Sequence, residues 1–356
     1  SARSLGHGPI ATFFHLTLPL LRPSITSGAM LVALYSLSDF GAVSLLQFNS
    51  FTRAIYTQYT ASLNRSGAAV LALMLIFLTF SMLSLEAWTR GKARYHNVGS
   101  GAKRRHTTVP LGRWTWPALL FCTIVVLLAL GMPITVLVYW LLRGLQAGET
   151  LRTLWVATGN SLYASGLAAV VATAMALPIA FLAARYPGRT SRVISRMAYV
   201  GYALPGIVVA LSLVFFGANY VPFLYQTMPM LLLAYTVRFL PEAIGAIEAA
   251  LLQINPRLEE AARSLGYGPL SALFRITLPL ARAGIINAAM LVFLTTMKEL
   301  PSTLLLGPIG FETLATRIWS ATAEGFFARA AAPALILVLF STLSLLPILT
   351  ATQERK

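Results

Sequence analysis

Asn255-Pro256-Arg257-Leu258-Glu259-Glu260-Ala261-Ala262-Arg263-Ser264-Leu265-Gly266-Tyr267-Gly268-Pro269, running on to Arg275-Ile276-Thr277-Leu278-Pro279, is a charged stretch set between long apolar ones. Asn255 can cap a helix, and Pro256 suits its first turn. Glu259 and Glu260 fall where a helix N-terminus favours negative charge. Leu258, Ala261, Ala262 and Leu265 follow i, i+3, i+4, i+7 and so share one narrow apolar face. Gly266 is placed to end the helix in a left-handed conformation. Gly268-Pro269 turns the chain, and a second short helix is expected over 270–276, before Pro279. The reading is a helical elbow over 255–279.

The chain contains this stretch twice. Ser1-Ala2-Arg3-Ser4-Leu5-Gly6-His7-Gly8-Pro9 aligns with 261–269, and the match runs on through Thr17-Leu18-Pro19-Leu20 to Ala29-Met30-Leu31-Val32. Of the 32 aligned pairs, 18 are identical. A repeat of so long a period points to two homologous membrane halves rather than a solenoid. The first copy is truncated: its Glu and first Ala are absent.

Composition agrees with a membrane chain. The 356 residues are 57% hydrophobic and 11% charged, with mean hydropathy +0.73; soluble domains carry about 25% charged residues. Apolar runs long enough to span a bilayer fall at 25–46, 67–85, 117–142, 156–184, 193–216, 227–247, 282–306 and 328–349. The expected fold is an all-α polytopic membrane protein of about eight spans. Two close a first half (1–85), and six form a complete second half (117–356). Residues 86–116, with Arg90, Lys92, Arg94, Lys103, Arg104, Arg105 and Arg113, read as a basic cytoplasmic linker. The segment 117–260 has no counterpart before Ser1, so a comparable length of protein is expected upstream in a longer fused chain. Pro178, Pro205 and Pro301 lie in or near spans, where neighbours can satisfy the carbonyls they free. Trp114, Trp116, Tyr139, Trp140 and Trp155 flank spans as interfacial anchors.

The net charge of +16 is not that of a nucleic-acid binder, because the basic residues alternate from loop to loop. The linker, the loop with Arg185, Arg189, Arg192 and Arg196, the elbow and the Arg355-Lys356 tail share one side. The opposite loops are poorer in Lys and Arg and hold Glu149, Glu312 and Glu324. The positive-inside rule puts both elbows in the cytoplasm.

Charges inside spans are costly, about 2.5–3.5 kcal/mol at a helix centre. Asp39 and Glu299 are equivalent in the repeat, each late in the span after its elbow. Two acids at related positions suit the flanks of a central pathway, with Lys298 beside one of them; capping a helix break or snorkelling to the outer interface is the alternative. Arg238 and Glu242, one turn apart, are expected to pair. There is no phosphate-binding G-x-x-x-x-G-K-[ST] loop and no Ser/His/Asp constellation. The single cysteine, Cys122, and the scattered histidines His7, His15, His96 and His106 lack metal-ligand spacing. An intramembrane enzyme, a channel and a secondary transporter are weaker readings, and no cofactor or metal is expected.

Glu260-Ala261-Ala262, Gly266, Ile276 and Leu278-Pro279 together resemble the "EAA" loop of the permease subunits of ABC importers. That resemblance implies a coupling elbow that docks on the ATPase subunit through Glu260, Ala261, Ala262, Leu265 and Gly266, and through Ala2, Leu5 and Gly6 in the first copy. Over most of the chain, Met297-Lys298-Glu299-Leu300-Pro301-Ser302-Thr303-Leu304-Leu305-Leu306, Gly310-Phe311-Glu312-Thr313-Leu314-Ala315-Thr316-Arg317-Ile318-Trp319 and Tyr235-Thr236-Val237-Arg238-Phe239-Leu240-Pro241 resemble the fused ferric-iron permeases of bacteria. The implied partners are an ABC ATPase dimer and a periplasmic substrate-binding protein, at the bacterial inner membrane. Thiamine, phosphonate, polyamine, sulfate and molybdate permeases share the architecture.

Overall fold

The computed structural model describes residues 8–62, 64–90, 111–149 and 152–353. Ala2, Leu5 and Gly6, and most of the expected linker, lie outside the described residues. Among the described residues the secondary structure is helical, without strands. In chain order the helices are α1 (Pro9–Thr12), α2 (Leu18–Ser38), α3 (Gly41–Leu45), α4 (Phe51–Thr60), α5 (Arg65–Arg90), α6 (Thr115–Val126), α7 (Met132–Gln146) and α8 (Arg152–Arg185). There follow α9 (Arg189–Ala203), α10 (Gly206–Tyr220), α11 (Met228–Leu252), α12 (Arg257–Ser264), α13 (Pro269–Ala272), α14 (Leu278–Met297), α15 (Pro301–Leu306), α16 (Leu314–Ala323) and α17 (Phe327–Gln353). π-helical turns at Phe13–Thr17, Leu127–Gly131 and Leu273–Thr277 join α1 to α2, α6 to α7 and α13 to α14.

Among the described residues, six continuous helices are long and apolar enough to cross a bilayer: Arg65–Leu85, Gly112–Gln146, Thr153–Arg185, Met228–Leu252, Pro269–Met297 and Phe327–Ser344. The pair α9 and α10 supplies a seventh crossing only as a broken one, bent by 103°. The expected span 193–216 is therefore not one helix: Leu204 is extended, and Pro205 stands at the N-cap of α10. The other departures are also breaks in a helix. The expected 25–46 ends at Ser38 and 282–306 ends at Met297, each followed after a short break by another helix, α3 or α15. Pro301, which lacks an N–H, opens α15, whereas Pro178 sits inside α8 without ending it. The expected span 25–46 falls on α2, whose apolar stretch Gly28–Ser38 is shorter than those six.

The chain divides into two compact units, Ser1–Leu37 with Phe77–Val136, and Ser38–Ile76 with Leu137–Lys356. The first carries long helices whose apolar side chains stay open; Phe77, Phe121 and Leu128 are each more than half exposed, as lipid-facing residues are. The second holds the core, where α8, α11 and α14 pack on one another. Ala164, Ala168, Ala172, Ala176 and Ala180 recur every fourth residue of α8 and are all buried. Small residues let membrane helices approach closely, and dispersion then holds them. Leu231, Ile244 and Ile247 of α11 and Val292 of α14 are buried in the same unit.

The internal repeat extends to fine detail. The π-turn Phe13–Thr17 is matched at Leu273–Thr277, and α1 is matched by α13, residue for residue at the repeat offset. After each break the order is again a short helix, a ten-residue helix and a long one: α3, α4, α5, then α15, α16, α17.

Candidate functional site

Two places draw the sequence's polar residues together: the elbow and the break after α14. In the elbow, Asn255 does cap α12, its Oδ1 accepting from the Arg257 N–H at 3.1 Å. At the other end Gly266 has φ +90°. Its N–H donates to the Arg263 carbonyl and the Tyr267 N–H to the Ala262 carbonyl, both at 3.1 Å. This is the Schellman arrangement that a left-handed residue makes possible. No atom lies within 4 Å of where a Gly266 Cβ would stand, so the backbone conformation alone demands glycine there.

The apolar face is divided. Ala262 is 3% exposed, while Leu258, Ala261 and Leu265 stand open, Leu265 at 80%. Glu260 is exposed, but Glu259 turns inward: its Oε1 accepts from Arg185 Nε at 2.8 Å and from Thr277 Oγ1 at 3.0 Å. The expected short helix at 270–276 does not stand alone. It continues through the π-turn into α14. Pro279 cannot donate to the carbonyl one turn back, and its ring crowds that carbonyl; the wider π-turn just before it keeps the helix continuous. Leu270 and Phe274 stay exposed beside the elbow.

At the break after α14, Glu299 is 7% exposed. Its Oε1 accepts from Ser302 Oγ at 2.9 Å and from the Ser302 N–H at 3.3 Å, so it caps the start of α15. Its second oxygen pairs with Arg238 of α11. Thr303 donates to the Glu299 carbonyl at 2.7 Å and shares a 2.7 Å hydrogen bond with Tyr235. Arg238 lies against Gly206 at the α9–α10 break, where a Cβ would meet its guanidinium. The expected Arg238–Glu242 pair is thus replaced: Arg238 takes Glu299, and Glu242 accepts from Thr295 Oγ1 at 3.0 Å. The reason is geometric: Glu299 is a buried acid whose charge needs a counter-ion, and α14 packs directly on α11. Lys298 is exposed beside it.

Asp39 occupies the matching break after α2 and is half-buried, with its backbone carbonyl accepting from Thr52 Oγ1 at 2.6 Å. The residues after the two acids, Phe40 and Leu300, belong to one buried cluster with Ala315, closed by Tyr56, Leu304 and Trp319. Residues equivalent in the repeat therefore meet at the breaks. Arg185 and the Arg238–Glu299 pairing are what sequence reasoning missed. The available signal was a basic residue directly after the apolar run of α8, and a second one, Arg238, within the largely apolar α11.

A polytopic helical bundle, an elbow with an open apolar edge and a buried ion pair at a helix break are features of a membrane-embedded subunit. The family model "Binding-protein-dependent transport system inner membrane component" matches residues 1–95 and 176–349, and the chain belongs to that family. It is 37% identical over 342 residues, 95% of its length, to the "Fe(3+)-transport system permease protein FbpB 2" of Haemophilus influenzae, of which it covers 67%. A "Putative ferric transport system permease protein FbpB 1" of the same organism is 24% identical over 83% of the chain, which spans 49% of that relative. Among solved structures, a chain from the "Crystal structure of bacterial alginate ABC transporter in complex with alginate pentasaccharide-bound periplasmic protein" has TM-score 0.53 at 20% identity. The likeness covers 67% of this chain and 93% of that one, and it bears on the fold.

Proposed function

We propose that the chain is part of the permease of an ABC importer that moves ferric iron, delivered by a periplasmic binding protein, across the inner membrane. ATP hydrolysis belongs to a separate ATPase dimer that docks on cytoplasmic elbows, so this subunit is not itself an enzyme. The observation that carries the reading is the elbow. Its inner edge is anchored through Glu259 and Ala262, and its outer edge, Leu258, Ala261 and Leu265, is apolar and uncovered. That edge, with Glu260 and Gly266, is the docking surface, and Ala2, Leu5 and Gly6 serve the first copy. The two copies divide the chain at 1–85 and 117–356, joined by the basic segment 86–116. The relatives named for ferric transport support iron as the cargo.

Asp39, Lys298 and Glu299 flank the pathway at the two breaks. Arg238, Glu242, Lys298 and Glu299 carry balancing charges, so they form no oxygen cage for a hard cation; the cargo passes without a tight resting site. ATP-driven closure of the ATPase dimer would draw the elbows together and open the pathway alternately to each side.

Cysteine at Ser264, in the full-length protein, is expected to crosslink to the ATPase in inside-out vesicles. Labelling of that site from the periplasm would overturn the orientation. Radioactive Fe(III) uptake that depends on the permease and its binding protein tests the cargo; uptake of another solute with no iron uptake would reassign it.

A further inference from the structure

Arg185, the last residue of α8, is 7% exposed, although it lies in a polar loop region where arginines are ordinarily solvated. Its Nε donates to Glu259 Oε1 at 2.8 Å, and both Nη atoms donate to the Ile254 carbonyl at 3.2 Å. Ile254 lies on the link between α11 and α12, and Glu259 lies on α12. The same Glu259 oxygen accepts from Thr277 Oγ1, and Thr277 is fully buried at the end of the π-turn that leads into α14. One guanidinium and one carboxylate therefore join the end of α8, the exit of α11, the elbow and the entry to α14. Those three long helices are the ones that pack together as the core. Glu259 and Ala262 face this node, while Leu258, Ala261 and Leu265 face outward.

We propose that Arg185 is a positioning residue of the transport cycle. It makes the elbow and the α8–α11–α14 core move as one body, so that elbow motion reaches the membrane pathway. The planar fork of arginine suits this because it holds a carboxylate and a carbonyl at once; lysine is a point donor on a flexible stem. The inference rests on the reading that the elbow docks on an ATPase.

The test uses the full-length permease with its ATPase and binding protein in proteoliposomes, with radioactive Fe(III) as the probe. Uptake, ATP hydrolysis and co-purifying ATPase are measured for Arg185→Met, Arg185→Lys and Glu259→Gln. The expected result is ATPase binding and hydrolysis within about twofold of the parent, with uptake per ATP lowered tenfold or more in Arg185→Met. Arg185→Lys should fall between the two. Glu259→Gln, which keeps size and an acceptor for Thr277, should also be uncoupled, and it carries the test if Arg185→Met does not assemble. Unchanged uptake per ATP in assembled complexes overturns the inference, as does loss of ATPase binding in Glu259→Gln. A parent protein whose Ser264→Cys fails to crosslink to the ATPase overturns the docking reading instead. A crosslink with unchanged uptake per ATP removes only the role of Arg185.

Discussion

At the scale of single residues, backbone conformation and buried charge decide the outcome. Gly266→Val places a β-branched residue at φ +90°, a strain of about 1–3 kcal/mol. The α12 terminus should distort, and transport should fall at least tenfold, while the membrane bundle, anchored elsewhere, still assembles. Uptake per assembled complex measures this, and parental uptake would remove the elbow's geometry from the mechanism. Glu299→Gln keeps an acceptor for Ser302 but leaves Arg238, itself 19% exposed, without its counter-ion. Breaking one partner of such a buried pair typically costs about 3–5 kcal/mol, so a clear drop in thermal stability in detergent is expected. Asp39→Asn, at a half-buried site, should cost under about 1 kcal/mol. If both residues flank the pathway, the double variant also loses uptake per assembled complex. Normal uptake at reduced abundance would leave both acids a purely structural role.

At the scale of elements, α12 shows how one short helix serves two surfaces. Its residues Glu259 and Ala262 hold it to the core, and Leu258 and Leu265 remain open on the other edge. Leu265→Asp is therefore expected to change thermal stability by less than about 0.5 kcal/mol, since the site is solvated in the isolated chain. ATPase co-purification should drop severalfold, because docking would then bury a charge without a partner. Equal loss of stability and binding would mean that Leu265 belongs to the core after all. The breaks after α2 and α14 belong to the same scale. The first ends a span one residue before half-buried Asp39, the second two residues before buried Glu299, and each restarts the chain as a short helix. The polar backbone exposed by a break must be satisfied inside the membrane; Glu299, Ser302 and Thr303 do this at the second one.

At the scale of the whole molecule, the alternation of basic and non-basic loops supports the proposed orientation, which can be tested directly. With Cys122 replaced by serine, cysteines at Gln226 and Gly310 should react with an impermeant maleimide added outside intact spheroplasts. Cysteines at Arg189 and Ser264 should react only after the membrane is opened. Reversal of that pattern would put the elbow on the wrong side for an ATPase. The repeat makes a linked prediction. Phe40 and Leu300 share one cluster, so Phe40→Ala and Leu300→Ala should be non-additive in stability by about 0.5–3 kcal/mol, as contacting residues are.

The sequence by itself determined the helical membrane class, the repeat, the elbow with its cap at Asn255 and its left-handed Gly266, and the acids at matching positions. Those features are written locally, in apolar run length, turn residues and spacing. The tertiary structure alone decided where the spans stop and which charges meet. Hydropathy carried 25–46, 193–216 and 282–306 through as unbroken spans, because a break flanked by apolar residues leaves mean hydropathy almost unchanged. The i, i+4 spacing of Arg238 and Glu242 pointed to a pair on one helix. Burial of Glu299 on a neighbouring helix outweighed it, since a desolvated carboxylate must find its cation wherever packing supplies one. Arg185 carried the same ambiguity, for a basic residue at the end of a span reads as solvated until the fold brings Glu259 and the Ile254 carbonyl within 3.2 Å of its guanidinium.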